Sequence, residues 1–237
     1  MTKAFAVFRR ELGSYFLSPT AYVLMSIFLF LAAFLFMAII SRVQEPNFQY
    51  ILGNLIIVSI LLTPVITMRL FAEEKQSGTL ELLLTSPLRE WEIVLGKYLA
   101  ACSFFAIMAA LTLLYPFIIM KFGKLDWGTL MAQYLGFLLA VFAFLAVGTF
   151  ASYVGGSPVI SAFLGFGMLL FLWILEWISG AVPPKVGSAL SSLSLFQHYQ
   201  GFSKGVIDTF DLAFYLSFTF FWLFITHQLL ESRKWKQ

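Results

Sequence analysis

Charge is what this sequence has least of. Of its 237 residues, 15 are Lys or Arg and 12 are Asp or Glu, so 11% of the chain is charged and 60% is hydrophobic. Soluble domains sit near 25% charged and about 45–50% apolar. A single soluble core of this length still shows roughly a quarter or more of its surface to water, so it has nowhere to hide that apolar excess. The scarcity therefore argues against a soluble enzyme, a disordered chain and a nucleic-acid-binding module. The mean hydropathy of +0.89 points to a polytopic membrane protein. The net charge of +3 is modest and reads as membrane orientation, with no nucleic acid implied.

Other shortages are equally restrictive. Cys102 is the one cysteine, so no intrachain disulfide and no multi-cysteine metal cluster is available. It sits in an apolar run and reads as a packed thiol. The two histidines and eight methionines are scattered and show no metal-ligand spacing, so no metal site is expected. The phosphate-cradling pattern G-x-x-x-x-G-K-[ST] is missing: Gly96-Lys97-Tyr98 lacks both the first glycine and the hydroxyl residue. No G-x-S-x-G occurs either. An intramembrane hydrolase is the alternative from the enzyme class, but its best pair, Ser179 and His227, is expected at opposite faces of the bilayer. A non-transporting scaffold is a further alternative.

What is present is a series of long uncharged runs. Glu11 to Arg42 encloses 30 uncharged residues, Glu45 to Arg69 and Lys97 to Lys121 enclose 23 each, Asp126 to Glu176 encloses 49, and Asp211 to Glu231 encloses 19. A spanning helix needs about 20 apolar residues, so the longest run is two spans turned at Gly155-Gly156-Ser157-Pro158. The sequence predicts six helices, near 20–41, 50–69, 95–120, 129–153, 158–179 and 211–230. The first is too long for a signal-peptide core and reads as a retained span. The fold class is all-α, and the runs lack the ten-residue alternation of a membrane β-barrel. With six spans, one side carries ten basic residues and the other five (Arg42, Lys121, Lys124, Lys185 and Lys204), which places both termini in the cytoplasm.

Three segments fall outside the spans. In residues 1–19, Phe5, Phe8, Leu12, Tyr15 and Phe16 share one face of a helical wheel, with Lys3, Arg10 and Ser14 opposite. With Arg9 beside them, this is an amphipathic helix lying in the interface, either a plain anchor or an elbow that also touches a partner. Ser18-Pro19 ends it. Residues 72–93 carry Glu73, Glu74, Glu81, Glu90 and Glu92, five of the twelve carboxylates. Here Ser77-Gly78-Thr79 breaks a helix, a short helix near 79–85 follows, and Ser86 with Pro87 is expected to cap and start the next. Residues 180–210, on the outer side, are too apolar for a solvated loop and too interrupted for a span. They read as a re-entrant or interfacial pair of short helices. The remaining stretches, 20–71, 94–179 and 211–237, hold spans 1–2, 3–5 and 6 with its tail.

The second segment is distinctive. Glu73-Glu74-Lys75-x-Ser77-Gly78-Thr79-Leu80-Glu81-Leu82-Leu83-Leu84-x-Ser86-Pro87, followed by Glu92-Ile93-Val94-Leu95-Gly96-Lys97, closely resembles the cytoplasmic signature of ABC-2 type transporter permeases. Within that family the chain is most similar to the gliding-motility-associated (GldF-like) branch, with copper-maturation permeases as neighbours. The resemblance implies a bacterial inner-membrane permease of the type V exporter kind, paired with a second permease copy and docked on two ATP-binding subunits. ATP and magnesium would be bound by those subunits, and an auxiliary membrane protein with a periplasmic domain is implied for the gliding branch. It also implies that the stretch around 77–86 is the coupling helix. There Leu80, Leu83 and Leu84 offer an apolar face, Glu73, Glu74 and Glu81 charged flanks, and Gly78 the tight turn.

Ionisable residues within spans are functional suspects. Glu176, between Trp173 and Trp177, is either part of an aromatic belt or an outer gate. His227, near the inner end of span 6, suits a helix C-terminus. Pro64 and Pro116 are expected kinks.

Overall fold

A computed structural model describes residues 3–43, 48–85, 88–120, 126–179, 181, 183, 187 and 191–234. The described residues form helices and no strands. In chain order these are α1 (Lys3–Leu17), α2 (Pro19–Val43), α3 (Gln49–Thr67), α4 (Arg69–Gln76), α5 (Leu80–Thr85) and α6 (Glu90–Thr112). They are followed by α7 (Leu114–Ile119), α8 (Trp127–Val154), α9 (Pro158–Ser179), α10 (Leu195–Ser203) and α11 (Thr209–Lys234).

Six stretches among the described residues are long and apolar enough to cross a membrane: Pro19–Ser41, Gln49–Gln76, Glu90–Ile119, Trp127–Val154, Pro158–Ile178 and Thr209–Ser232. They coincide with the six charge-poor runs. The fourth is the hub, with 72% of its most apolar window buried, against 17% for the first, fifth and sixth. Small residues let other helices close on α8: Ala132, Gly136, Ala140, Ala143 and Gly148 are all buried. A Cβ at Gly136 would lie 2.3 Å from the Phe202 side chain, so glycine is what seats α10 there. The outward faces of α2, α9 and α11 are apolar (Phe30 71%, Phe163 74% and Phe220 60% exposed), as lipid or partner contact requires.

Both kinks fall near the expected prolines. Pro64 has no N–H to give, and the helix is interrupted at Met68 between α3 and α4. The ring of Pro116 crowds the carbonyl of Thr112, where α6 ends and α7 takes over. One boundary differs from the sequence expectation. The third span starts at Glu90, and its N-cap position is Arg89, whose backbone N–H donates to the Glu92 carboxylate at 2.9 Å. The cap expected at Ser86 and Pro87 falls on residues outside those described. Glu92 reaches back to fix the start three positions later, a box that needs no Ser. Of the expected outer pair of short helices, α10 is one. Most of the stretch before it lies outside the described residues.

Candidate functional site

The site is built where α1, α4 and α6 meet, beneath the turn between α4 and α5. Gly96 makes the meeting close. A Cβ there would lie 2.8 Å from the Val7 side chain and 3.0 Å from the Ala4 carbonyl, so α1 rests almost directly on the α6 backbone. Val7 is buried in that contact, and Leu12, Tyr15 and Phe16 pack against the core. Tyr15 stacks on Phe104 at 5.0 Å and donates its hydroxyl to the Ile66 carbonyl at 2.7 Å. Phe8 is half-buried, whereas Phe5 is 43% exposed with Arg9 and Arg10. The face bound to α6 thus differs from the apolar face read on the helical wheel, because Gly96 draws in Val7 and a charged residue, Glu11. Within the chain, α1 is fastened to its own bundle.

The fastening is ionic. Lys97, 1% exposed, places Nζ 2.9 Å from Oε1 of Glu11 and 2.9 Å from Oε1 of Glu74. Arg10 closes the square from outside, 2.7 Å from Glu11 and 2.9 Å from Glu74. Two cations and two anions sum to zero, which is what burial demands, since a lone ion removed from water costs several kcal/mol. The Phe71 ring lies 5.3 Å from the Lys97 ammonium. Burial pushes the Glu11 carboxyl up, but the Lys97 charge and the hydrogen bonds from Arg10 and Lys97 outweigh it and hold it below its ordinary value. The hydrogen bond to Glu11 raises the Arg10 guanidinium in return.

The kink above this square is bolted to the hub. Ser152 on α8 donates to the Met68 carbonyl at 3.1 Å and accepts from the Phe71 N–H at 3.0 Å, satisfying backbone groups that the broken helix frees. Lys75 donates to the Tyr153 carbonyl and lies 4.3 Å from the Tyr153 ring centroid. The Tyr153 hydroxyl reaches the Leu229 carbonyl on α11 at 2.8 Å.

The turn itself projects from this support. Gly78 has φ +72°, a left-handed conformation that glycine adopts at no steric cost. The Ser77 hydroxyl bonds the Glu73 carbonyl at 2.9 Å and the Thr79 hydroxyl at 2.8 Å. Ser77, Gly78, Thr79 and Glu81 are exposed. The apolar face of α5 points the other way: Leu80 is 1% exposed and Leu83 packs against the chain's own core. This corrects the expectation that Leu80 and Leu83 are offered to a partner's groove. In a six-residue helix with few other neighbours, Leu80 and Leu83 are covered locally first. The side chain of Leu84, like Ser86 and Pro87, lies outside the described residues.

At the far end, Glu176 is hydrogen-bonded to Gln200 of α10, so it faces the outer segment as well as its tryptophan neighbours. His198 sits 2.6 Å from Asp211 through Nδ1 and 3.1 Å from the Ser192 carbonyl through Nε2, stacked on Phe214 at 3.8 Å. His227 stacks on Trp91 at 4.4 Å, at the α6 end of the bundle that also carries α1. Among the described residues no three His, Cys, Asp or Glu side chains converge as metal ligands.

Residues 56–217, more than half of the chain, match the family model described as ABC-2 family transporter protein. The chain belongs to that family. It is a multi-pass permease subunit of the ABC-2 type, and the match includes Glu74, Lys97 and the Gly78 turn. No curated protein matches the chain. Sequence reading gave weight to Glu73 and Glu74, took Lys97 as the edge of a span and the last residue of the family-like motif without an ion-pairing role, and gave Glu11 and Ser152 no role. A glycine immediately before a lone lysine, at the border of a 23-residue uncharged run, was the signal for Lys97.

Proposed function

We propose that this ABC-2 permease transmits work from a separate ATP-binding subunit through the α4–α5 turn, and that the charge square carries the motion to α1 and α6. The observation that carries the reading is the placement of an exposed, left-handed turn directly on a four-membered ionic junction of three helices, centred on the buried Lys97. A transmission element has to be held rigidly from behind and be free in front, and Ser77–Thr79 with Glu81 meets both conditions. The docking surface is then the polar turn, with Leu80 and Leu83 as its support. Exposed Glu81 fixes register by charge.

Two such chains pair and two ATPase subunits dock, one per turn. ATP and magnesium reside on those subunits. The ten-to-five excess of basic residues supports a cytoplasmic placement of this end of the bundle and of both termini, in a bacterial inner membrane. The outward apolar faces of α2 and α9 are free for the second copy. The task is export, or force transmission to periplasmic parts in a gliding-type assembly, with an auxiliary membrane protein as a further partner.

The test is co-purification and turnover with the cognate ATPase. Gly78→Pro and Leu83→Glu should each lower ATPase association and permease-stimulated hydrolysis while the chain still inserts. Unchanged association and turnover in both would refute the coupling role.

A further inference from the structure

The facing ends of α1, α2, α3 and α4 enclose a cavity of about 630 Å³ at the α1–α2 elbow. One part of its wall is polar, with Ser14, Ser18, Thr20, Arg69 and Glu73. The other part is apolar, with Val23, Leu24, Val65 and Ile66. The first span begins at Pro19 and the second ends at Gln76, so the cavity lies where two span ends meet the surface on the side of the N terminus. That is the depth at which lipid head groups give way to acyl chains.

Arg69 and Glu73 stand one turn apart on α4 and are opposite in charge. Such a pair ordinarily closes on itself. Here neither side chain hydrogen-bonds or ion-pairs with another described residue, and both are exposed in the cavity wall. Glu11, at the rim, is already satisfied by Lys97 and Arg10. The cavity therefore offers one available cation and one available anion side by side, with an apolar slot continuing toward the membrane interior.

We propose that this cavity binds one zwitterionic phospholipid with a primary amine, phosphatidylethanolamine. Its phosphate pairs with Arg69, whose planar fork suits phosphate oxygens. Its ammonium donates to Glu73, and an acyl chain lies along Val23, Leu24 and Val65. A choline head group has no N–H to donate to Glu73. A glycerol head group offers Glu73 only neutral hydroxyls, weaker partners for a carboxylate than an ammonium, and brings no cation to offset its phosphate. The bound lipid would wedge the elbow open beside the charge square. The inference does not depend on the ATPase coupling proposed above, and its test uses no ATPase.

The full chain, purified and delipidated in detergent, is offered equimolar dioleoyl phosphatidylethanolamine, phosphatidylglycerol and phosphatidylcholine, and bound lipid is read by native mass spectrometry. Phosphatidylethanolamine should be retained on the order of tenfold better than either other lipid, the factor expected of one charge-assisted hydrogen bond. N-methylation of the amine should lower retention stepwise in the wild-type chain, a measurement that needs no variant. Arg69→Ala should abolish most retention, and Glu73→Gln should erase the preference over phosphatidylcholine. Equal retention of the three lipids, or a preference for phosphatidylglycerol, would overturn the proposal. So would an unchanged preference in both variants.

Discussion

Lys97 on α6 donates to Glu11 on α1 at 2.9 Å across 86 positions of sequence, with its ammonium almost wholly removed from solvent. The bond turns an interfacial helix into a fixed part of the bundle. Because Glu74 shares the same ammonium, α1 cannot move independently of α4, and the turn after α4 inherits that constraint. Removing the lysine leaves two carboxylates facing each other with only the exposed Arg10 between them. Lys97→Met should destabilise the chain by about 3–5 kcal/mol, the range for breaking a buried pair from one side. The triple variant Lys97→Met, Glu11→Gln, Glu74→Gln should recover much of that loss. Thermal unfolding in a fixed detergent measures both, and a Lys97→Met chain as stable as the parent would show that the square is ornamental.

The same junction should respond to acid. Glu11 is held below its ordinary carboxyl value of 4.5 in the folded chain, so the unfolded state binds more protons in the window beneath that value. Stability then rises with pH through the window. The contribution is complete above about 4.5 and is lost as pH falls through the lower, folded value. Protection factors for amide exchange over α1, corrected for the intrinsic pH dependence of exchange, should be flat from neutrality down to about pH 5 and fall at lower pH. Glu11→Gln should remove most of that acid response. An α1 whose protection falls equally in both chains would place the response elsewhere.

Most of the fold could be read from charge alone, because the bilayer excludes charge and the gaps between charged residues measure the spans directly. The kinks at Pro64 and Pro116 were legible for a similar reason: a missing N–H has a local consequence. The charge square was not. Glu11, Glu74 and Lys97 are far apart in sequence, and nothing in a helical wheel says that α1 lies on α6. The orientation of α5 was misread because its leucines can satisfy either a partner or their own core, and sequence does not rank the two. Periodicity put Phe5 on the apolar face of an interfacial helix with Leu12, Tyr15 and Phe16, but the close approach at Gly96 rotates Val7 and Glu11 onto α6 and leaves Phe5 exposed.

Gly96 makes that rotation testable. Its missing Cβ is the space Val7 occupies, with the Ala4 carbonyl, a backbone atom that cannot swing aside, behind it. Gly96→Ala should push α1 away from α6 and cost about 1–3 kcal/mol as an overpacked contact. The effect should be accompanied by faster proteolysis between α1 and α2. Val7→Ala added to Gly96→Ala should restore part of the loss, since it removes the Cγ1 contact at 2.8 Å but keeps the equally close Cβ, and failure of that rescue would assign the cost to the Val7 Cβ and the Ala4 carbonyl.

Ser152 offers the sharpest separation of support from docking. Its hydroxyl both donates to the Met68 carbonyl and accepts from the Phe71 N–H, so it stands in for the helical bonds lost at the α3–α4 break. In Ser152→Ala the Phe71 N–H is left buried without its acceptor, at about 1–3 kcal/mol. Ser152→Thr keeps the hydroxyl and should lose less. On the proposed coupling through the Gly78 turn, the break lies between that turn and α8, so the alanine variant should keep its affinity for an ATPase partner while losing part of the stimulated turnover. A variant that lost affinity and turnover together would mean that Ser152 shapes the docking surface, and the path from turn to hub would have to run through Lys75 and Tyr153 instead.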